Sequence, residues 1–259
     1  MFAARFAFQS PQAAAAANAR RTGSASTNAS QSWGANGAVT STAQYKFGTA
    51  SEYVSSSTEE IYTSSGSPTF MNYGTGDFCI EFWIYLSSLS GHTTSSDLLS
   101  NDTSGGFGVR LAQQYNGNSG GTITNKFNIF ARQQADLDYW TLPTNWPTGQ
   151  WNFCAVQRKS GVTAFWVNGT LCTKTDNGAG SRNFASNSGN EIKVGTADGG
   201  DGVGPAYIDE VCWSNTYRYT DQTANIPVPT AAFTVDSYTT QLMHMDGTNG
   251  GTTFTNATS

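Results

Sequence analysis

Apolar and polar residues alternate along most of this chain with the period of two that suits a half-buried strand. Outside an alanine-rich stretch near the N-terminus, the three-and-four spacing of a helix never persists beyond a turn. The strongest segment is 78–86 (FCIEFWIYL), which follows the turn signal Gly74-Thr75-Gly76-Asp77. Similar runs occupy 151–158 (WNFCAVQR), 165–172 (FWVNGTLC) and 207–215 (YIDEVCWSN). In 165–172 the Asn168-Gly169 pair sits between alternating apolar residues and predicts a hairpin, because both turn residues must accept φ > 0. Shorter strands are predicted at 44–47, 51–54, 59–64, 97–100, 106–113, 122–132 and 238–246. Gly/Asn/Ser clusters divide them at the spacing of a sandwich, with exposed loops at 116–121 (NGNSGG) and between Pro143 and Pro147. The pattern predicts an all-β, two-sheet antiparallel sandwich over 31–259 as a single domain that includes the C-terminal strand, preceded by an arm over 1–30.

Charge changes this picture at the N-terminus. Only 12% of the 259 residues are charged and the net charge is −5. Residues 1–51 hold Arg5, Arg20, Arg21 and Lys46 and no acid, so the remainder carries −9. With few large apolar residues beyond Phe2, Phe6 and Phe8, 1–30 reads as an extended arm that anchors to a partner through Phe2, Arg5, Phe6, Phe8, Arg20 and Arg21. Arg5, Gln9 and Gln12 interrupt the apolar run that a secretory signal needs, and no 18-residue apolar span suggests a membrane helix. Cys79, Cys154, Cys172 and Cys212 fall inside predicted strands without CxxC spacing, which predicts free buried thiols.

The strand segments FCIEFWIYL, WNFCAVQR, FWVNGTLC and YIDEVCWSN, in that order, resemble the laminin-G-like jelly rolls of the concanavalin A-like lectin and glucanase superfamily. The C-terminal QLMHMDGTNGGTTFT resembles the opening strand and turn of such a jelly roll, yet here it comes last. An echo of 255–259 (TNATS) at 26–30 (STNAS) makes the strand order look permuted. The last strand then either returns to its own sandwich or completes a neighbour's sheet, joining subunits by strand exchange.

Candidate chemistry is sparse. His92 lies in a Gly/Ser/Thr loop and His244 alternates with Met243 and Met245; neither has a triad signature. The resemblance implies a glucanase motif of acids at alternate strand positions, and none occurs. Glu81 stands alone, Glu191 has no strand partner, and adjacent Asp209 and Glu210 should point to opposite faces. No enzyme activity is expected. Asp198 and Asp201, in DGGDG, together with Asp209 form a candidate Ca²⁺ loop; any other cofactor is absent from the reading. Tyr139, Trp140 and Trp146, with Tyr115, Tyr217 and Tyr219, lie outside the clear strands and are candidate glycan-stacking residues, while Trp83 and Trp151 are assigned to the scaffold. No P-loop or Rossmann fingerprint appears, and the acidic balance does not suit nucleic acid.

Similar stand-alone jelly rolls occur in bacteriophage structural proteins. The resemblance therefore implies a virion structural protein, either a capsid decoration (cement) protein or a tail-associated module, assembled in the host cytoplasm as a homo-oligomer bound to other virion proteins. The alternative is a carbohydrate-binding adhesin for host-surface glycans. Neither reading involves nucleic acid or membrane.

Overall fold

The computed structural model describes residues 18–24, 31–64, 68–90, 92, 95–101, 108–112, 125–131, 136–175, 183–184, 191–196 and 202–257. Among these residues sixteen strands and no helix form two antiparallel sheets stacked as a sandwich. The first sheet runs β1 (Trp33–Asn36), β4 (Glu60–Thr63), β14 (Lys193–Val194), β6 (Ser95–Ser100), β7 (Gly108–Ala112), β8 (Lys126–Ala131), β9 (Asp136–Thr141), β13 (Thr173–Lys174). The second runs β12 (Thr170–Leu171), β11 (Val162–Val167), β10 (Trp151–Lys159), β5 (Phe78–Tyr85), β15 (Ala206–Ser214), β3 (Ser51–Val54), β2 (Val39–Ser41). In this sheet β16 (Thr239–Met243) lies beside the C-terminal half of β15.

The all-β sandwich expected from the alternation is therefore what the chain forms. The predicted hairpin pairs Trp166 with Leu171 and Val167 with Thr170 around Asn168 (φ 50°) and Gly169 (φ 80°). Two expectations change. Residues 44–47 form no strand, because the Asp209 carboxylate accepts the backbone N–H groups of Lys46 (2.8 Å) and Phe47 (3.2 Å) that a ladder would otherwise use. β1, β2 and β9 carry too few alternating apolar residues to have been read as strands.

The last strand pairs within its own subunit. β16 registers against β15 with Val211 opposite Met243 and Cys212 opposite Leu242, and the following chain bridges Met243 to Asn256 and Ser32 to Thr255.

Two apolar layers result. Between the sheets, Phe82, Ile84, Val156 and Phe165 of the second sheet meet Val109, Leu111, Phe127, Ile129 and Trp140 of the first, with the Phe127 and Phe165 rings stacked at 3.6 Å. On the other face of the second sheet, Cys79, Trp83, Phe153, Trp166, Cys212 and Leu242 are covered by a long irregular strap over 215–237, through Tyr219, Ile226 and Phe233. Strands β5 and β10 are thus buried on both faces, which explains why FCIEFWIYL is nearly continuous in apolar residues. All four cysteines are free and buried, and burial pushes their thiols up, Cys172 to about 12 and Cys212 to about 11.

Candidate functional site

The strap-covered face of the second sheet holds a closed polar network. The Glu81 carboxylate, fully buried on β5, accepts Arg20 Nε at 2.9 Å on both oxygens and the Tyr219 hydroxyl at 2.8 Å. Burial alone would depress the Arg20 pKa, but Glu81 more than reverses this, and the guanidinium stays charged. Arg218 grips Asp236 with two bonds of 2.6 and 2.9 Å and reaches the Ser214 and Thr239 hydroxyls. Although burial opposes it, this grip and the Gly23 and Tyr238 N–H donors hold the Asp236 carboxyl well below its usual range. Gln157 ties the strap down by accepting the N–H groups of Arg218 and Tyr219 and donating to the Tyr219 carbonyl.

Beyond this covered area the same face carries an uncovered row of rings. Strand register places Trp151 of β10 opposite Tyr85 of β5, Tyr85 opposite Tyr207 of β15, and Tyr207 opposite Tyr53 of β3, with Val39 of β2 at the end. All five are half-buried. Tyr53 and Tyr207 stack at 4.6 Å, Tyr85 stands edge-on to Tyr207 at 5.8 Å, and Trp151 stands edge-on to Tyr85 at 5.8 Å. At the usual strand spacing the four rings span about 14 Å. Burial and the neighbouring phenols of Tyr53 and Tyr85 raise the Tyr207 pKa, which keeps that hydroxyl neutral. The underlying sheet fixes the rings before anything binds, which lowers the entropic cost of contact. The sequence pattern gives these residues no site: Trp151 reads as scaffold, and Tyr53, Tyr85 and Tyr207 as strand residues without a role.

Several predicted site residues have other partners. Trp140 and Trp146 are 1% and 2% exposed and pack around Phe127 and Phe165 in the inter-sheet core, and the Trp146 indole donates to the Lys126 carbonyl. A sugar cannot reach them. Trp140 faces inward because β9 places it opposite Phe127; Tyr139, one residue earlier, is half-buried on the other face, away from the row. Tyr219 is a buried residue of the strap itself, and Tyr217 is covered by the Arg21 guanidinium at 4.1 Å from its ring. Arg20 and Arg21 are engaged inside their own subunit, Arg21 also donating to the Tyr217 carbonyl, so they do not form a free anchor for a partner. Phe2, Arg5, Phe6, Phe8, Tyr115, Asp198 and Asp201 lie outside the described residues. Among the described residues no group of three or more His, Cys, Asp or Glu side chains is arranged to hold a metal.

The third metal candidate, Asp209, belongs to a hinge in the sheet. A bulge between Asp209 and Cys212, with Glu210 at φ 51°, marks where β15 passes its edge from β3 to β16. The bulge adds a residue, so Ile208 and Val211 enter the inter-sheet core while the adjacent carboxyls both serve the opposite face, contrary to the expectation from simple alternation. Asp209 holds the 46–47 backbone; Glu210 accepts the strap N–H of Phe233 at 2.7 Å and lies 2.6 Å from His244 Nδ1 on the chain just after β16. The carboxyl oxygens therefore hold three segments together.

The hinge predicts a pH dependence. The Glu210 bond raises the His244 pKa above its ordinary 6.5. Burial, and to a lesser extent the Glu210 charge, push Asp209 up to about 8 against the pull of its backbone donors. Both folded pKa values exceed the unfolded ones, so folding favours the protonated forms. The His244 contribution is complete below about pH 6.5 and fades as pH rises through its folded pKa, and that of Asp209 declines from about pH 4 to about 8. Asp236 has the opposite sign, its contribution being lost below about pH 4. The melting temperature should peak at about pH 4 and fall towards pH 8.5, and His244→Gln should flatten the limb above about pH 6.5. An unchanged limb in that variant would remove His244 from the account.

The chain belongs to the concanavalin A-like lectin/glucanases superfamily: its laminin-G family model matches residues 49–224. No curated protein matches the sequence. Among solved structures, the chain is similar to the botulinum neurotoxin serotype G binding domain, with 13% identity, 77% of this chain and 44% of that chain covered, and a TM-score of 0.48. It is also similar to domain 4 of AbnA, a GH43 extracellular arabinanase from Geobacillus stearothermophilus, in complex with arabinotriose, with 16% identity, 69% and 77% covered, and a TM-score of 0.43. A heptameric SAP-like pentraxin from Limulus polyphemus is 10% identical over 75% of each chain, with a TM-score of 0.42.

Proposed function

We propose that this protein is a non-catalytic carbohydrate-binding module that takes an extended glycan across Trp151, Tyr85, Tyr207 and Tyr53. The observation that carries the reading is the contrast on one sheet face: the strap and segment 18–24 seal it over Glu81 and Trp83, yet four neighbouring rings are left half-exposed in register. A contiguous aromatic strip facing water is a signature of a recognition surface. Aromatic rings meet the apolar C–H faces of sugars, and phenol hydroxyls exchange hydrogen bonds with sugar hydroxyls. The resemblance of YIDEVCWSN and QLMHMDGTNGGTTFT to jelly rolls of bacteriophage structural proteins supports a virion setting for such a module, as a capsid decoration or tail-associated homo-oligomer with its ring row towards the host surface. Calcium has no role in this reading.

A glycan array followed by affinity electrophoresis in the selected polysaccharide tests it. The wild-type protein should bind, and Tyr85→Ala and Tyr207→Ala should each weaken binding about tenfold or more. An array without a bound glycan, or binding unaltered in both variants, refutes the reading.

A further inference from the structure

At the opposite end of the same strands, about eight residues or roughly 26 Å along β15 from Tyr207, a separate cleft of about 400 Å³ opens beside Asn215. Its volume falls within the range of small-molecule sites. One wall is aromatic and rigid. Phe70 is held by Trp213 (5.4 Å, edge-on) and Trp33 (6.3 Å), and Tyr73 stacks on Phe78 at 4.5 Å. The other wall is polar and uncharged: Asn72, Asn215, Thr239 and Thr240. Thr239 is fixed by its bonds to Arg218 and Asp236, so its hydroxyl is committed. The others are not. The Asn72 and Asn215 amides are exposed, and the Thr240 hydroxyl is buried with no hydrogen-bond partner among the described residues. A buried hydroxyl in that state favours any ligand that supplies the missing bond.

We propose that this cleft is a second binding site, independent of the aromatic row, for a single neutral sugar unit or a comparable uncharged polyol. Its chemistry selects the class. Among the described residues no Asp, Glu, Lys or Arg lines the cleft, so none of them complements a charged ligand there. Two amides and a hydroxyl supply donors and acceptors together, as a ring carrying several hydroxyls requires. Phe70 and Tyr73 offer the apolar surface on which such a ring rests. The cleft is compact where the row is extended, so it suits one sugar unit and the row suits a chain.

The test is a titration of the full-length protein with glucose, galactose, mannose and N-acetylglucosamine, read by the side-chain amide resonances of Asn72 and Asn215 and the ring resonances of Phe70 and Tyr73. At least one sugar should shift these signals saturably. Thr240→Val, which keeps the shape and removes the hydroxyl, should weaken that binding about tenfold, and Tyr207→Ala should leave it unchanged. If no sugar shifts the cleft signals, or if Thr240→Val binds as tightly as the wild type, the proposal is overturned. Loss of binding in Tyr207→Ala would place the sugar at the row instead and also overturn it. Failure here leaves the row intact as a glycan surface, since the two sites share no residue.

Discussion

Replacing Arg20 by alanine lowers the unfolding free energy by about 3–5 kcal/mol, because it strands the Glu81 carboxylate inside the protein. The Arg20 side chain is 15% exposed and that of Glu81 is fully buried, and together with the Tyr219 hydroxyl they form a closed set. Removing one partner of such a pair costs far more than the pair contributes, so Arg20→Met combined with Glu81→Leu should recover most of the loss. The prediction extends to truncation. Deleting residues 1–24 should cost at least as much as Arg20→Ala, since it also removes the bonds that Asn18, Arg21 and Gly23 make to the strap. An Arg20→Ala midpoint equivalent to a loss under about 1 kcal/mol would mean that segment 18–24 does not hold the strap.

Trp140→Ala should cost a similar amount, about 3–5 kcal/mol, for a different reason. The indole is 1% exposed and fills the inter-sheet core against Phe127 and Phe165 at about 6 Å between ring centroids, so its removal opens a cavity that the two sheets cannot close. Tyr139→Ala, on the other face of the same strand, should fall within about 1 kcal/mol. Urea unfolding of both variants checks this. Near-equal losses would contradict the inward assignment of Trp140. The comparison also separates stability from recognition: folded Trp140→Ala should bind glycan as the wild type does, while the row variants should fold normally and fail to bind.

Trp140 shows where the sequence is legible and where it is not. The alternation in FCIEFWIYL and YIDEVCWSN, and Asn168-Gly169, carry the fold because they act locally: pleat and turn geometry depend on near neighbours. Facing direction in β9 does not follow in this way, because DLDYWT carries two aspartates whose charges conceal the periodicity. Asp138 points inward all the same, accepting the Thr163 hydroxyl at 2.5 Å and pairing with Lys174. Arg20 and Arg21 look like arm residues in the sequence because their partners, Glu81 and Tyr217, are about 60 and 200 residues away along the chain. The aromatic row is invisible for a related reason. Tyr85 ends its strand, Tyr207 and Trp151 lie at the starts of theirs, and only antiparallel register brings an end beside a start. The signal present in the sequence is modest: each of the best strands carries one ring at its terminus. The bulge at Glu210, which overturns the opposite-face assignment of the acidic pair, leaves no local mark at all.

The most direct test of the glycan-surface reading is an NMR titration with the glycan selected on the array, following the ring resonances of Tyr53, Tyr85, Tyr207 and Trp151 beside those of Tyr139. The four rings of the row should shift together with one dissociation constant while Tyr139 stays still. Saturable binding that moves Tyr139 and leaves the row unperturbed would contradict the assignment of the row as the glycan-binding surface.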